Sequence, residues 1–127
     1  MGKGMYEVTV RKTFSAAHTV TIDGTREPRH GHNFAVEITL SSRELDGEGL
    51  VIDFRKIKRW LEEILEEFDH TYLNDLARFK NITPTAERLA RCIHDHMETR
   101  MESTQCTIER VTVGESENAR ATYRGTA

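Results

Sequence analysis

The chain has 127 residues, 37% hydrophobic and 31% charged, with a formal net charge of −3. That composition suits one soluble domain over 1–127 with a modest core. It leaves no apolar run of about 18 residues to cross a membrane and no clustered basic face for nucleic acid. The opening Met1-Gly2-Lys3-Gly4-Met5 lacks the apolar stretch of a signal peptide, and Tyr6 stands where a myristoylation signal needs Ser or Thr. Cys92 and Cys106 make no disulfide framework. Both are expected to be passive thiols, Cys92 as a small buried hydrophobe on a helix face, and a cytoplasmic protein is expected.

Tyr6, Val8 and Val10 alternate with polar residues, which predicts a half-buried first strand. Phe34, Val36, Ile38 and Leu40 predict a second. Between them, Thr19 to Arg29 carries Asp23-Gly24 and Pro28 and reads as a loop. After Asp46-Gly47-Glu48-Gly49, residues Phe54, Ile57, Leu61, Ile64, Leu65 and Phe68 recur at helical spacing, with Asp53 placed to cap the helix. A second helix is predicted to start at Thr83-Pro84, threonine as N-cap and proline at the first helical position. Its apolar stripe is Leu89, Cys92, Ile93 and Met97, while His94 and His96 are expected at the surface and not as metal ligands. Ile108 is out of phase with Val111 and Val113, which predicts a bulge near Glu109-Arg110. Ala119 to Tyr123 closes the chain as a last strand. The order is β-β-α-α-β-β: an α+β domain, helices on one face of an antiparallel sheet. Two open sheet edges remain, and a homo-oligomer joining them into a barrel is the simplest way to cover them.

His30 and His32 alternate around Gly31, so both fall on one face of a strand about 7 Å apart. His18 closes the short apolar run Phe14-Ser15-Ala16-Ala17 at the far end of the first strand. The three flank one loop, at the ends of strands expected to pair antiparallel. Three histidines without a fourth ligand nearby describe an open zinc site, the kind that performs chemistry. Proton transfer also needs an acid and a base. Asp69-His70, just after the first helix, is the candidate pair, although a histidine there also suits a helix C-terminus. Glu27 is the acid of the loop nearest the metal, and Glu115 ends a strand otherwise lined by Val111 and Val113. Either glutamate alone is equally compatible with plain solvation.

Phe-Ser-Ala-Ala-His (14–18), His-Gly-His-Asn (30–33), Val-Ile-Asp-Phe (51–54), Asp-His-Thr-Tyr-Leu-Asn (69–74), Thr-Pro-Thr-Ala-Glu (83–87) and a late strand ending in Glu115 occur in this order. Together they resemble the 6-pyruvoyl-tetrahydropterin synthase family, which includes 6-carboxy-tetrahydropterin synthases. The resemblance implies a tunnelling fold, assembled into a trimer or hexamer with sites between subunits. It implies His18, His30 and His32 as zinc ligands, Asp69 and His70 as an acid-base pair, Glu115 as the anchor of a pterin ring and Thr85 as a further pterin contact. A carboxylate suits the anchoring role, since it accepts two parallel hydrogen bonds.

One departure matters. The pyruvoyl and carboxy enzymes carry a nucleophilic cysteine four residues before the first histidine of His-Gly-His, and here that residue is Arg26, followed by Glu27. The resulting Glu-x-x-His-Gly-His resembles a subgroup of aldolases that convert 7,8-dihydroneopterin triphosphate to 6-hydroxymethyl-7,8-dihydropterin. Retro-aldol cleavage begins with loss of a hydroxyl proton, for which a carboxylate beside zinc is an adequate base. Glu27 is the candidate. Two alternatives remain: a 6-pyruvoyl- or 6-carboxy-tetrahydropterin synthase, and a pterin- or metal-binding protein without catalysis.

Overall fold

The computed structural model describes residues 4–125, so Met1 to Lys3, part of the segment read for a leader, lie outside the described residues. In chain order come β1 (Tyr6–His18), β2 (Thr21–Ile22), β3 (Thr25–Arg26), β4 (His30–Ser42), α1 (Phe54–Leu65), β5 (Thr71–Tyr72), α2 (Ala86–Arg100), β6 (Thr107–Ser116) and β7 (Ala119–Tyr123). The main sheet runs β5-β1-β4-β6-β7.

The expected four-stranded antiparallel sheet is therefore a five-stranded mixed one. The addition is β5, parallel to β1 at Ala16 and Ala17. The Thr19–Arg29 loop likewise contains a small hairpin of β2 and β3. Asp23 (φ 51°) and Gly24 (φ 76°) turn it, and these left-handed angles are what a two-residue Asp-Gly hairpin turn requires.

β1 and β4 pair without interruption from Tyr6↔Ser42 to His18↔His30. Val10, Phe14, Ala16 and His18 on β1 face the same way as Phe34, Val36, Ile38 and Leu40 on β4, and all are buried. Both helices cover this face: α1 packs on β1, and α2 on β6 and β7. Ile57, Leu61, Ile64 and Leu65 of α1 and Leu89, Ile93 and Met97 of α2 fill the space between. Phe14 stacks on Phe34 at 5.0 Å and meets Phe68 at 5.9 Å, so an aromatic layer runs from the sheet to the end of α1. Such pairs contribute about 0.5–1.5 kcal/mol beyond their area. The apolar stripe of α1 begins at Ile57, because Phe54 at its first turn is exposed.

Asp53 caps α1 as expected, its side chain accepting from the Arg55 N–H. The cap of α2 is Thr85, not Thr83, and Pro84 precedes the helix. The Thr85 hydroxyl oxygen accepts from the Arg88 N–H at 3.2 Å, while the Pro84 carbonyl bonds the His18 imidazole. His94, expected at the surface, is buried. Gly125 closes over its ring so tightly that a Cβ there would sit 2.7 Å from Nε2. The predicted bulge in β6 is present, since Thr39 pairs with Arg110 and Leu40 with Ile108, leaving Glu109 out of register. A second bulge, not anticipated, leaves Glu115 unpaired between Gly114 and Ser116.

Residues 69–74 brace the end of β1. The Ser15 N–H donates to Asp69 Oδ1 at 2.9 Å and the His70 N–H donates to the Ser15 carbonyl. Farther on, the Asn74 amide accepts from the Thr19 N–H and donates to the Thr19 carbonyl, at 2.9 and 3.0 Å. Thr19 is buried, so these backbone groups have no ready substitute in water. Asn74→Ala is expected to lower stability in urea denaturation by about 1–3 kcal/mol. A loss below about 0.5 kcal/mol, the range of an ordinary surface substitution, would show that the brace is dispensable.

Candidate metal centre and its surroundings

The strand register brings the three histidines together. His18 lies directly opposite His30, and His32 lies opposite Ala16 on the same face. Their ring centroids are 4.8 Å (His18–His30), 5.2 Å (His18–His32) and 4.7 Å (His30–His32) apart, all nearly perpendicular. One ring nitrogen from each lies within 4.8 Å of the other two. Phe34 supports them from below, edge-on to His18 at 5.4 Å and to His32 at 5.3 Å.

Two carbonyls set the tautomers. His18 Nδ1 lies 2.9 Å from the Pro84 oxygen and His30 Nδ1 lies 2.9 Å from the Pro28 oxygen. A carbonyl only accepts, so each Nδ1 carries the proton and each Nε2 presents a lone pair. Metal-ligating histidines are oriented in this way. Nε2 of His18 and of His32 are buried without a hydrogen-bond partner. The Glu115 carboxylate is the nearest acid, 3.4 Å from His18 Nε2 and 3.7 Å from His32 Nε2. Burial lowers the pKa of His32 from its ordinary value, opposed by Glu115, reinforced by the neighbouring His18 and His30, and opposed again by Glu27. The neutral imidazole, which is the ligating form, is favoured. Converging, buried, unpartnered imidazole nitrogens fit a zinc ion with an open fourth position.

Glu27 is half-buried, and its N–H donates to the Val20 carbonyl at 2.9 Å. The residues on either side of its loop are pinned to Tyr72. Arg26 Nη2 lies 3.4 Å from the phenol oxygen, and the Arg29 guanidinium lies 3.6 Å from the ring centroid. The phenol also bonds Thr19 Oγ1 at 2.8 Å. Hydrogen bonds with Thr19 and Arg26 hold the Tyr72 pKa below the usual phenol value.

Asp69 and His70 lie beyond β1. The second Asp69 oxygen is 3.5 Å from His70 Nε2. His70 adopts a left-handed backbone (φ 59°), which throws its side chain outward, 82% exposed. Non-glycine residues in this region are uncommon and concentrate at functional sites. A shallow cleft lined by Ser15, Gly31, His32, Asn33 and His70 runs between this pair and the triad. Thr85, one residue after the Pro84 carbonyl, keeps its O–H free to donate while its oxygen caps α2. Sequence reasoning missed Pro28, Pro84, Asn74 and the role of Tyr72. Asn74 and Tyr72 stand in Asp-His-Thr-Tyr-Leu-Asn and Pro84 in Thr-Pro-Thr-Ala-Glu, but Pro28 stands in no motif singled out.

Neither cysteine belongs to the site. Cys92 lies on α2, and Cys106, just before β6, donates to the Val51 carbonyl. Burial pushes both thiol pKa values up, which keeps them protonated and poor nucleophiles. A second groove, lined by Arg78, Phe79, Arg88 and Cys92, runs along α2 and holds none of the expected site residues.

A family model described as 6-pyruvoyl tetrahydropterin synthase matches residues 7–126. The chain is 32% identical over 117 residues to a putative 6-carboxy-5,6,7,8-tetrahydropterin synthase of Archaeoglobus fulgidus, covering 92% of this chain and 94% of that protein. It is 33% identical over 93 residues to the dihydroneopterin monophosphate aldolase of Pyrococcus furiosus, covering 71% and 73%. In fold it is similar to the 6-pyruvoyl tetrahydropterin synthase of Caenorhabditis elegans, with a TM-score of 0.83, 24% identity and 97% coverage of both chains.

His18→Ala and His30→Ala are each expected to abolish stoichiometric zinc retention after dialysis, measured by elemental analysis, while His96→Ala retains it. Zinc held equally by the His18 variant would show that the triad is not the metal centre.

Proposed function

The chain belongs to the 6-pyruvoyl tetrahydropterin synthase family, and on that premise we propose that it is a zinc-dependent lyase. The reaction is retro-aldol cleavage of a 7,8-dihydroneopterin phosphate, the triphosphate first, to 6-hydroxymethyl-7,8-dihydropterin. The observation that carries this reading is the acid-base inventory around the triad. The loop beside it supplies Glu27, and both thiols, Cys92 and Cys106, lie in other elements with raised pKa values. A carboxylate is a sufficient base for a hydroxyl proton, all the more for a hydroxyl that a bound zinc would acidify. The Pyrococcus relative named as an aldolase supports the same choice.

His18, His30 and His32 would hold the zinc through Nε2. Bound there, it supplies Lewis acidity to a substrate hydroxyl. Glu115, beside the triad, takes the pterin ring, its two oxygens accepting from the 2-amino and N3 positions, and the Thr85 hydroxyl contacts the same ring. Glu27 removes the C2′ hydroxyl proton. The C1′–C2′ bond then breaks, its electrons pass to the N5=C6 imine, and the C2′–C3′ fragment leaves as a phosphorylated glycolaldehyde. His70, oriented by Asp69, returns a proton to the pterin side. The high exposure of His70 and the open outer edges of β7 and of β1 ahead of Ala16, among the described residues, support a homo-oligomer whose sites lie between subunits. Trimers and hexamers both meet that requirement.

The zinc-loaded protein, incubated with 7,8-dihydroneopterin triphosphate or monophosphate, is expected to release 6-hydroxymethyl-7,8-dihydropterin, detected by mass spectrometry and lost on chelation. A 6-pyruvoyl or 6-carboxy product would assign it to the synthase branch, and no turnover would favour a binding protein.

Glu27→Gln should lower kcat about 10²–10⁴-fold with zinc content unchanged. Glu115→Gln should act mainly on KM, by about 10-fold or more, the equivalent of one charge-assisted hydrogen bond. An unaltered kcat in the first variant removes Glu27 as the base.

A further inference from the structure

Arg26 and Arg29 are exposed, and both guanidinium groups gather on one side chain. Arg29 lies 3.6 Å from the Tyr72 ring centroid and Arg26 Nη2 lies 3.4 Å from its hydroxyl. Six other arginines, at positions 55, 78, 91, 100, 110 and 120, each have a carboxylate within 4 Å. Among the described residues neither Arg26 nor Arg29 has one, nor do Arg11, Arg59, Arg88 and Arg124, so what sets the pair apart is the ring the two share. Glu27 lies between them in the chain and forms an ion pair with neither. Two like charges held on one neutral ring repel each other, and an anion bridging them reverses the sign of that interaction.

The platform is fixed independently of the arginines. The Tyr72 hydroxyl is anchored by Thr19, and the Tyr72 backbone pairs with Ala17. A guanidinium stacked on such a ring keeps its N–H fork directed outward, the geometry that matches phosphate oxygens. Arg29 immediately precedes His30 and Arg26 immediately precedes Glu27, so an anion bound here lies beside the proposed reaction centre.

Resting on the reading of the triad as a pterin enzyme's metal site, we propose that Arg26, Arg29 and Tyr72 form the subsite for the phosphate of the substrate side chain. The ligand is a phosphate ester, carrying about −1.5 to −2 charge at neutral pH. Pterin-ring recognition and phosphate recognition then fall to different residues, and the arginine pair sets the preference for phosphorylated over free dihydroneopterin.

Two measurements test this. Inorganic phosphate, titrated into the unaltered full-length protein and followed by side-chain Nε–H resonances, is expected to shift Arg26 and Arg29 ahead of the ion-paired arginines. Uniform shifts across all of them overturn the proposal. In kinetics, Arg26→Gln/Arg29→Gln is expected to lower the ratio of kcat/KM for the triphosphate over that for unphosphorylated 7,8-dihydroneopterin by about 10-fold or more. An unchanged ratio also overturns it. The titration needs no turnover, so a protein that binds phosphate at the pair but releases no hydroxymethyl product refutes the aldolase reaction and leaves the subsite standing.

Discussion

The unbroken register between β1 and β4 is the constraint on which the site depends. It sets His18 across from His30 and puts His32 on the same face. Side chains alternate with period two, so a slip of one residue would turn the histidines to the opposite face and expose the Phe14–Phe34 layer to water. The candidate metal centre and the core therefore share one determinant. Phe14, Phe34, Val36 and Ile38 hold the register by their burial, and the imidazoles continue the same inward row.

Around that ladder, each further group is attached to the histidine-bearing end of a strand. The 69–74 segment binds β1 at Ser15, Ala16 and Ala17 and the chain just beyond it at Thr19, which brings Asp69, His70 and Tyr72 to its edge. The hairpin loop folds back through Glu27 to Val20. The bulge at Glu115 frees one residue of β6 from pairing beside the triad, and bulges commonly re-aim a side chain next to a site. Proline carbonyls complete the arrangement by holding two ring tautomers from outside the sheet. Together these attachments pre-orient the groups, and pre-orientation is what a catalytic constellation needs from its scaffold.

Much of this was legible in the sequence, for reasons tied to particular residues. Alternation around Val8 and around Val36 marked the two long strands, the phase change between Ile108 and Val111 marked a bulge, and Asp53 marked the start of α1. What was not legible depends on contacts distant in the chain. β5 is only Thr71–Tyr72, too short for any period, and exists because β1 offers an edge. Thr83 and Thr85 flank Pro84 symmetrically, and it is Thr85 that caps α2, with the Pro84 carbonyl bonded to distant His18. His94 suits a solvated helix end as a cation, yet it lies in line with Ala90 and Met97 on the buried face, against Tyr123 and under Gly125. The triad itself was readable because its ligands are close in sequence. The proline carbonyls that orient them were not, since any residue has a carbonyl.

That closeness bears on how the protein matures. All three ligands fall within residues 18–32, on a hairpin whose closure involves only the 19–29 connection. Hairpins form in roughly microseconds, ahead of long-range docking. The Pro28 lock on His30 belongs to the same segment, whereas the Pro84 lock on His18 arrives from 66 residues away. An ion can thus be captured by the nascent hairpin and become firmly seated only when α2 docks. On the proposed zinc reading, ion capture by the hairpin and the docking of α2 are linked through one bond, from the His18 imidazole to the Pro84 carbonyl.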